Sequence, residues 1–146
     1  MTENATWLEL ARSMRPGSKT VLFRPLSVEI VVEFARRGFR LLVVHSDEDL
    51  LRRCKTELRA QGLSSLLMGC YPQADAKDLS TAKDFYELFC CFESLEGLLE
   101  VVRVSLRSGG FLVGAPGTLG DQEKYSEHFL ECSKTLPADL LGYRLT

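Results

Sequence analysis

Segments with helical spacing and short apolar runs alternate along the whole chain, without an internal repeat or a low-complexity tract. A chain patterned this way folds as a parallel sheet covered by helices, because each strand needs a long crossover to return parallel to the one before. Trp7, Leu8, Leu10, Ala11 and Met14 predict a first helix, which Pro16 and Gly17 end, and residues 20–23 predict the first strand. Ser27 is placed to cap a helix carrying Ile30, Val31, Phe34 and Ala35, with Arg36 and Arg37 at its negative end and Gly38 just beyond. Residues 39–44 predict a buried second strand. A helix starting at Ser46 or Asp47 then carries Leu50, Leu51, Cys54 and Leu58 and stops at Gly62, before a third strand over 63–70.

The polar stretch 71–84 contains Pro72 and reads as a loop or a short irregular helix. Residues 85–92 predict a fourth strand. Leu95, Leu98, Leu99, Val102 and Leu106 form a helical stripe that Gly109 and Gly110 end, and 111–115 predict a fifth strand before Pro116 and Gly117. Tyr125, Phe129, Cys132 and Leu136 predict a final helix.

The 146 residues, 45% hydrophobic and 26% charged, suit one globular domain, standing alone or as one part of a longer protein. A formal net charge of -2 gives no general attraction to nucleic acid or to an anionic membrane, so a protein partner or a further domain of the same chain is the expectation. No apolar run approaches a membrane span, and the first residues lack the basic start and apolar core of a signal peptide, which places the protein in the cytoplasm or the nucleus. Cys54, Cys70, Cys90, Cys91 and Cys132 are an odd set without CxxC spacing or a nearby histidine, so neither disulfides nor a metal site is expected.

The stretch FYELFCCFESLEGLLEVVRVSLRSGGFLVG, residues 85–114, resembles the fourth strand, following helix and fifth strand of class I S-adenosylmethionine-dependent methyltransferases. That family has a leucine-arginine-proline-glycine-glycine turn between helix and strand; here Leu106-Arg107-Ser108-Gly109-Gly110 departs from it only at Ser108. WLELARSMRPGSKTVLF and VVEFARRGFRLLVVHSDEDLLRRCKTELRAQGL are similar to the family's lead-in helix, first strand, helix, second strand and helix, in that order. The resemblance implies a doubly wound Rossmann-like sheet in the order 3-2-1-4-5 with helices on both faces. It stops after strand five, leaving room for one further strand near residues 140–145 and not for the family's full antiparallel pair of strands six and seven.

In the family, strand one runs into a glycine-rich loop that lets the cofactor approach the backbone. This chain has Arg24, Pro25, Leu26 and Ser27 there, with no glycine between Gly17 and Gly38, and the bulk of these residues is expected to fill the pocket. Strand two ends in His45, where the family has an acidic residue for the ribose hydroxyls. Asp47 and Glu48 are near enough to substitute, yet they read better as the acidic first turn of a helix capped by Ser46. His45 and His128 have no visible nucleophile or orienting partner, Cys90 and Cys91 should point to opposite faces of their strand, and Arg52, Lys55 and Arg59 read as a solvated helix face.

These departures lead to the expectation of a vestigial crevice, formed by Arg24, Pro25, Leu26, Ser27, His45 and Cys91, that binds no cofactor and holds no catalytic residue. The protein is then a non-catalytic interaction or scaffold module, and the anamorsin type of iron–sulfur assembly protein contains such a domain. Phe111, Leu112 and Val113 form the expected interface, an unguarded sheet edge that either a partner or the folded-back residues 140–145 must cover. The alternative is an active S-adenosylmethionine-dependent methyltransferase with a divergent loop, its cofactor lying against residues 23–27, His45 and residues 90–93.

Overall fold

The computed structural model describes residues 3–72, 83–93, 99–119, 127–134, 136–137 and 139–146. Helix α1 (Glu3–Ser13) leads into strand β1 (Lys19–Phe23), followed by α2 (Val28–Arg36), β2 (Arg40–His45), α3 (Glu48–Ala60) and β3 (Leu67–Pro72). Next come β4 (Tyr86–Cys91), α4 (Leu99–Ser105), β5 (Leu106–Gly114), α5 (Pro116–Leu119), β6 (Phe129–Glu131) and β7 (Leu141–Leu145). The strands form one sheet in the order β3-β2-β1-β4-β5-β7-β6. The first five are parallel, in the order expected from the sequence, while β7 runs antiparallel to β5 and β6 antiparallel to β7.

Side chains alternate across the strands into two cores, as period-two geometry requires. Leu22, Leu41, Val43, Leu88, Cys90 and Val113 face α1, α2 and α3, where they meet Leu10, Val31, Phe34, Leu50 and Leu58. Val21, Phe23, Val44, Phe89, Cys91 and Leu112 face the other way, against Val102, Leu119 and Phe129. Cys90 and Cys91 are both fully buried, one in each core.

Local signals set most of the boundaries. The Ser27 hydroxyl accepts from the Ile30 N–H at 3.4 Å and caps α2, and Gly38 leaves that helix at a φ of 88° with its N–H on the Ala35 carbonyl. The α3 cap is Asp47, not Ser46: its carboxylate accepts from the N–H groups of Asp49 and Leu50 at 3.0 and 3.2 Å. Residues 64–66 form a short 3-10 turn, so β3 starts later than the apolar run suggested. In the same way α4 stops at Ser105, before the glycine pair, and Leu106 already pairs with Tyr86. The pairing then jumps to Leu88 with Phe111, and the glycines lie in the resulting bulge. A Cβ on Gly110 would sit 2.8 Å from the Arg107 carbonyl oxygen and 3.3 Å from that of Tyr86, so no larger residue fits there. Leu95, Leu98 and Tyr125, and most of the expected loop over 71–84, lie outside the described residues.

The final helix expected through Phe129 and Cys132 is instead β6 followed by a turn to β7. Phe129 enters the core from a strand, and the Cys132 N–H donates to the Gly142 carbonyl at 2.8 Å. The antiparallel pair that the sequence had room for only in part is present in reduced form, with β6 three residues long. Its consequence falls on Phe111, Leu112 and Val113. They pair with Arg144, Tyr143 and Gly142 of β7, so their backbone edge is closed by the folded-back end of the chain, one of the two closures expected from the sequence, and no partner is needed along it. Deleting residues 137–146 removes β7 and reopens an apolar edge strand, so the truncated protein should self-associate in light scattering where the full chain does not. A monomeric truncation of unchanged thermal stability would show that β7 is not needed at that edge.

Candidate functional site

In a sheet of this order, neighbouring crossovers leave in opposite directions between β1 and β4, which opens a crevice beyond the carboxyl ends of these two strands. The strands are paired up to that point. The Arg24 N–H donates to the Val44 carbonyl at 2.7 Å and the Phe92 N–H to the Phe23 carbonyl at 3.2 Å, each extending the ladder past a strand end. Arg24 takes a φ of 56°, the left-handed conformation that glycine adopts freely and that costs other residues roughly 1–2 kcal/mol. The chain thus makes the tight turn after β1 without a glycine.

The Arg24 side chain ties two strand ends together. Its Nη1 meets the Glu93 carboxylate at 3.1 Å, bridging the ends of β1 and β4, and its guanidinium lies 5.4 Å from the centre of the Phe23 ring. Its Nε is buried and has no hydrogen-bond partner among the described residues. A buried N–H without an acceptor is costly, so this donor marks a place where an acceptor is wanted.

Pro25 is buried, Leu26 is 38% exposed, and the Ser27 hydroxyl is used both by the α2 cap and by a 2.9 Å bond to the Asn4 side-chain oxygen. A cavity of about 240 Å³ lies beside Leu26, the one of these residues that lines it. Trp7 of α1, Phe92 after β4 and Leu140 before β7 supply its apolar wall, and Thr6 and Asp139 its polar one. Trp7 and Phe92 pack ring against ring, with centroids 4.0 Å apart. Ala115 and Thr118 close the side toward β5.

His45 sits half-buried at the end of β2, its Nδ1 accepting from the Asp47 N–H at 2.9 Å, which leaves Nε2 as the free ring nitrogen. Asp47 itself is committed to the α3 cap. His128 lies against Glu127 at 3.9 Å, outside the crevice. Cys91 ends β4 but points into the core and not into the cavity. Of the six crevice residues expected, Leu26 lines the cavity, Arg24 and His45 stand at the ends of β1 and β2, Pro25 is buried, Ser27 caps α2 and Cys91 lies in the core. Phe92 falls in the stretch 90–93 that the alternative reading set against the cofactor, while Trp7 and Asp139 were missed. Trp7 looks like one more apolar position of its helix, and nothing in the sequence marks Asp139. Arg52 pairs with Asp49, and Lys55 and Arg59 are exposed, as a solvated helix face requires.

All five cysteines are free thiols, and no group of three or more metal-binding side chains occurs among the described residues. Burial raises the Cys54 thiol from its usual 9.0 to about 12, with Cys70 adding to the shift and Arg53 opposing it. Burial also raises Cys91, and raises Cys90 together with the neighbouring Cys91. A thiol whose folded value lies above its unfolded value favours the fold fully below the unfolded value, and that contribution is lost as pH rises through the folded one. Stability in urea should therefore fall between about pH 9 and 12 as Cys54 is drawn toward ionisation. A Cys54→Ala variant, less stable at neutral pH by about 1–3 kcal/mol, should decline less steeply over that range. A variant that declines in parallel with the native protein would remove Cys54 from the account.

No protein-family model matches the sequence, and no curated protein does. The fold matches solved structures. A tRNA (m1A58) methyltransferase, TrmI from Aquifex aeolicus, is similar over 100% of this chain and 70% of its own, with a TM-score of 0.69 at 13% identity. The N-methyltransferase NodS from Bradyrhizobium japonicum, solved with S-adenosyl-L-homocysteine, is similar over 97% of this chain and 85% of its own, with a TM-score of 0.69 at 18% identity. An S-adenosylmethionine-dependent O-methyltransferase from Thermotoga maritima is similar over 99% of this chain and 64% of its own, with a TM-score of 0.66 at 10% identity. At these identities the likeness is one of fold, the class I methyltransferase scaffold.

These matches overturn the expectation of a non-catalytic module of iron–sulfur assembly that has lost its cofactor. These three proteins, which share the scaffold over nearly the whole chain, are methyltransferases, one of them solved with the demethylated cofactor, and none is an iron–sulfur assembly protein. The expected absence of a cofactor loses its support with that reading.

Proposed function

We propose that the chain is an S-adenosylmethionine-dependent methyltransferase whose loop after β1 makes its turn with Arg24 in place of glycine. The observation that carries this reading is Arg24 itself: left-handed at the switch point, with a buried Nε that lacks an acceptor. The residues present suit the cofactor at three places. Arg24 Nε would donate to the carboxylate of its amino-acid end. The free Nε2 of His45 would meet a ribose hydroxyl, doing with a histidine what the family does with a carboxylate. The cavity walled by Trp7 and Phe92 shares Leu26 with the loop after β1 and Phe92 with the end of β4, so a methyl acceptor held in it would stand next to the reacting end. When bound, the cofactor supplies an electrophilic methyl group on a sulfonium; the chain's part is to hold and orient it.

Glu93 has a second part in this reading. Paired with Arg24, it holds the guanidinium across the ends of β1 and β4, and it leaves Nε and not Nη1 for the ligand. With five free thiols and no helix among the described residues long and apolar enough to cross a membrane, we place this activity in the reducing cytoplasm.

Isothermal calorimetry with S-adenosylhomocysteine should give a dissociation constant in the micromolar range. Arg24→Ala should weaken binding at least about tenfold, the scale of one lost charge-assisted hydrogen bond, and Arg24→Lys should recover little, because an ammonium has no Nε. The folded stability of Arg24→Ala should stay within about 1 kcal/mol of the native protein, since its ion pair is partly exposed. Absence of heat at millimolar ligand with the native chain would refute the proposal.

A further inference from the structure

The cavity behind Leu26 combines two properties that select for one class of ligand. Its walls are apolar and rigid: Trp7, Phe92 and Leu140 are each 6% exposed or less, and the two rings brace one another. Its volume of about 240 Å³ exceeds the ~150 Å³ of an apolar cavity that takes up benzene, which leaves room for a ring and a short side arm.

The other property is a single carboxylate. Asp139 lines the cavity and is itself exposed, so its charge stands at the mouth in water. The Thr6 hydroxyl is its side-chain hydrogen-bond partner among the described residues, at a long 3.4 Å, and no Lys or Arg of those residues forms an ion pair with it. The neighbouring cation, Arg24, is held by Glu93. An anionic ligand entering here meets Asp139 with no balancing charge, and a neutral one leaves the carboxylate unused. A protonated amine satisfies the carboxylate and sets its apolar body against the aromatic rings, where a cation close to a ring face gains further.

We propose that this cavity binds a small organic amine with an apolar, ring-sized body, its nitrogen at Asp139 and its body between Trp7, Phe92 and Leu140. As a binding site the assignment stands on the cavity alone. That the amine is the methyl acceptor rests on the function proposed above, since the cavity adjoins the crevice assigned to the cofactor.

Trp7 is the one tryptophan of the chain, so its emission reports directly on the cavity. The full chain is titrated at neutral pH with phenethylamine, phenethyl alcohol and phenylacetate, which share a ring and differ in charge. Phenethylamine should change the emission saturably, with the alcohol binding about fivefold more weakly, the scale of one exposed ion pair, and the acid more weakly still. In Asp139→Asn, which keeps the shape of the side chain, the amine should fall to the affinity of the alcohol while the alcohol is unchanged. Equal binding of amine and alcohol by the native chain, a preference that survives in Asp139→Asn, or no saturable change with any of the three overturns the proposal. Amine binding in a chain that gives no heat with S-adenosylhomocysteine upholds this site and removes only its role as acceptor site; heat with that ligand and no amine preference does the reverse.

Discussion

The two-sided pairing of β1 is the constraint on which the other parts depend. Residues 20–23 hydrogen-bond to β2 on one edge and β4 on the other, and they are buried on both faces. A strand in that position tolerates no polar side chain without a local partner; Thr20, the polar exception, turns its hydroxyl onto the Ser18 carbonyl at 3.2 Å. Because β1 is central, the chain must leave it on one side for β2 and return on the other for β4, and the crevice is the geometric result of that reversal. Arg24 is where the reversal begins. Its strained backbone is held by the ladder bond to Val44 on one side and by the Glu93 ion pair on the other.

The order of the parallel strands was legible because each strand here is a short, nearly continuous apolar run between two capped helices. Ser27 and Gly38 bracket α2 with side-chain and backbone chemistry that acts within a few residues, and such signals survive without knowledge of the tertiary fold. Phe129 shows the limit. Its apolar spacing with Cys132 and Leu136 fits a helix, yet the residue is buried from a strand, because the edge of β5 supplies partners that no local pattern records. The glycine pair misled for a related reason: Gly109 and Gly110 were read as a helix stop, while the close carbonyls of Arg107 and Tyr86 show a bulge inside a strand.

The site was legible in position and not in content. Arg24, Leu26 and His45 follow their strands directly, so topology alone placed them at the crevice. Whether bulk at Arg24 and Leu26 fills the crevice was not legible, because a side chain's volume does not tell its direction. Arg24 turns toward Glu93, Leu26 is part exposed and part cavity wall, and the cavity's other walls come from α1 and the approach to β7, two elements far apart in sequence. Absence of glycine was likewise a weaker sign than it looked, since the turn needs a positive φ and an arginine can adopt one.

The placement of Cys90 and Cys91 gives the molecule an internal division of labour. Two adjacent residues of one strand are sealed on different faces of the sheet, Cys90 under α1–α3 and Cys91 under α4 and α5. Their alternation up and down the pleat keeps the sulfurs on opposite sides of the sheet, so neighbours in sequence cannot act as a redox couple while the strand is intact. A fluctuation that lifts one layer uncovers one thiol and leaves the other sealed. The reactivity of each thiol therefore reports on the cover of its own face, so opening of one face can be told apart from opening of the other.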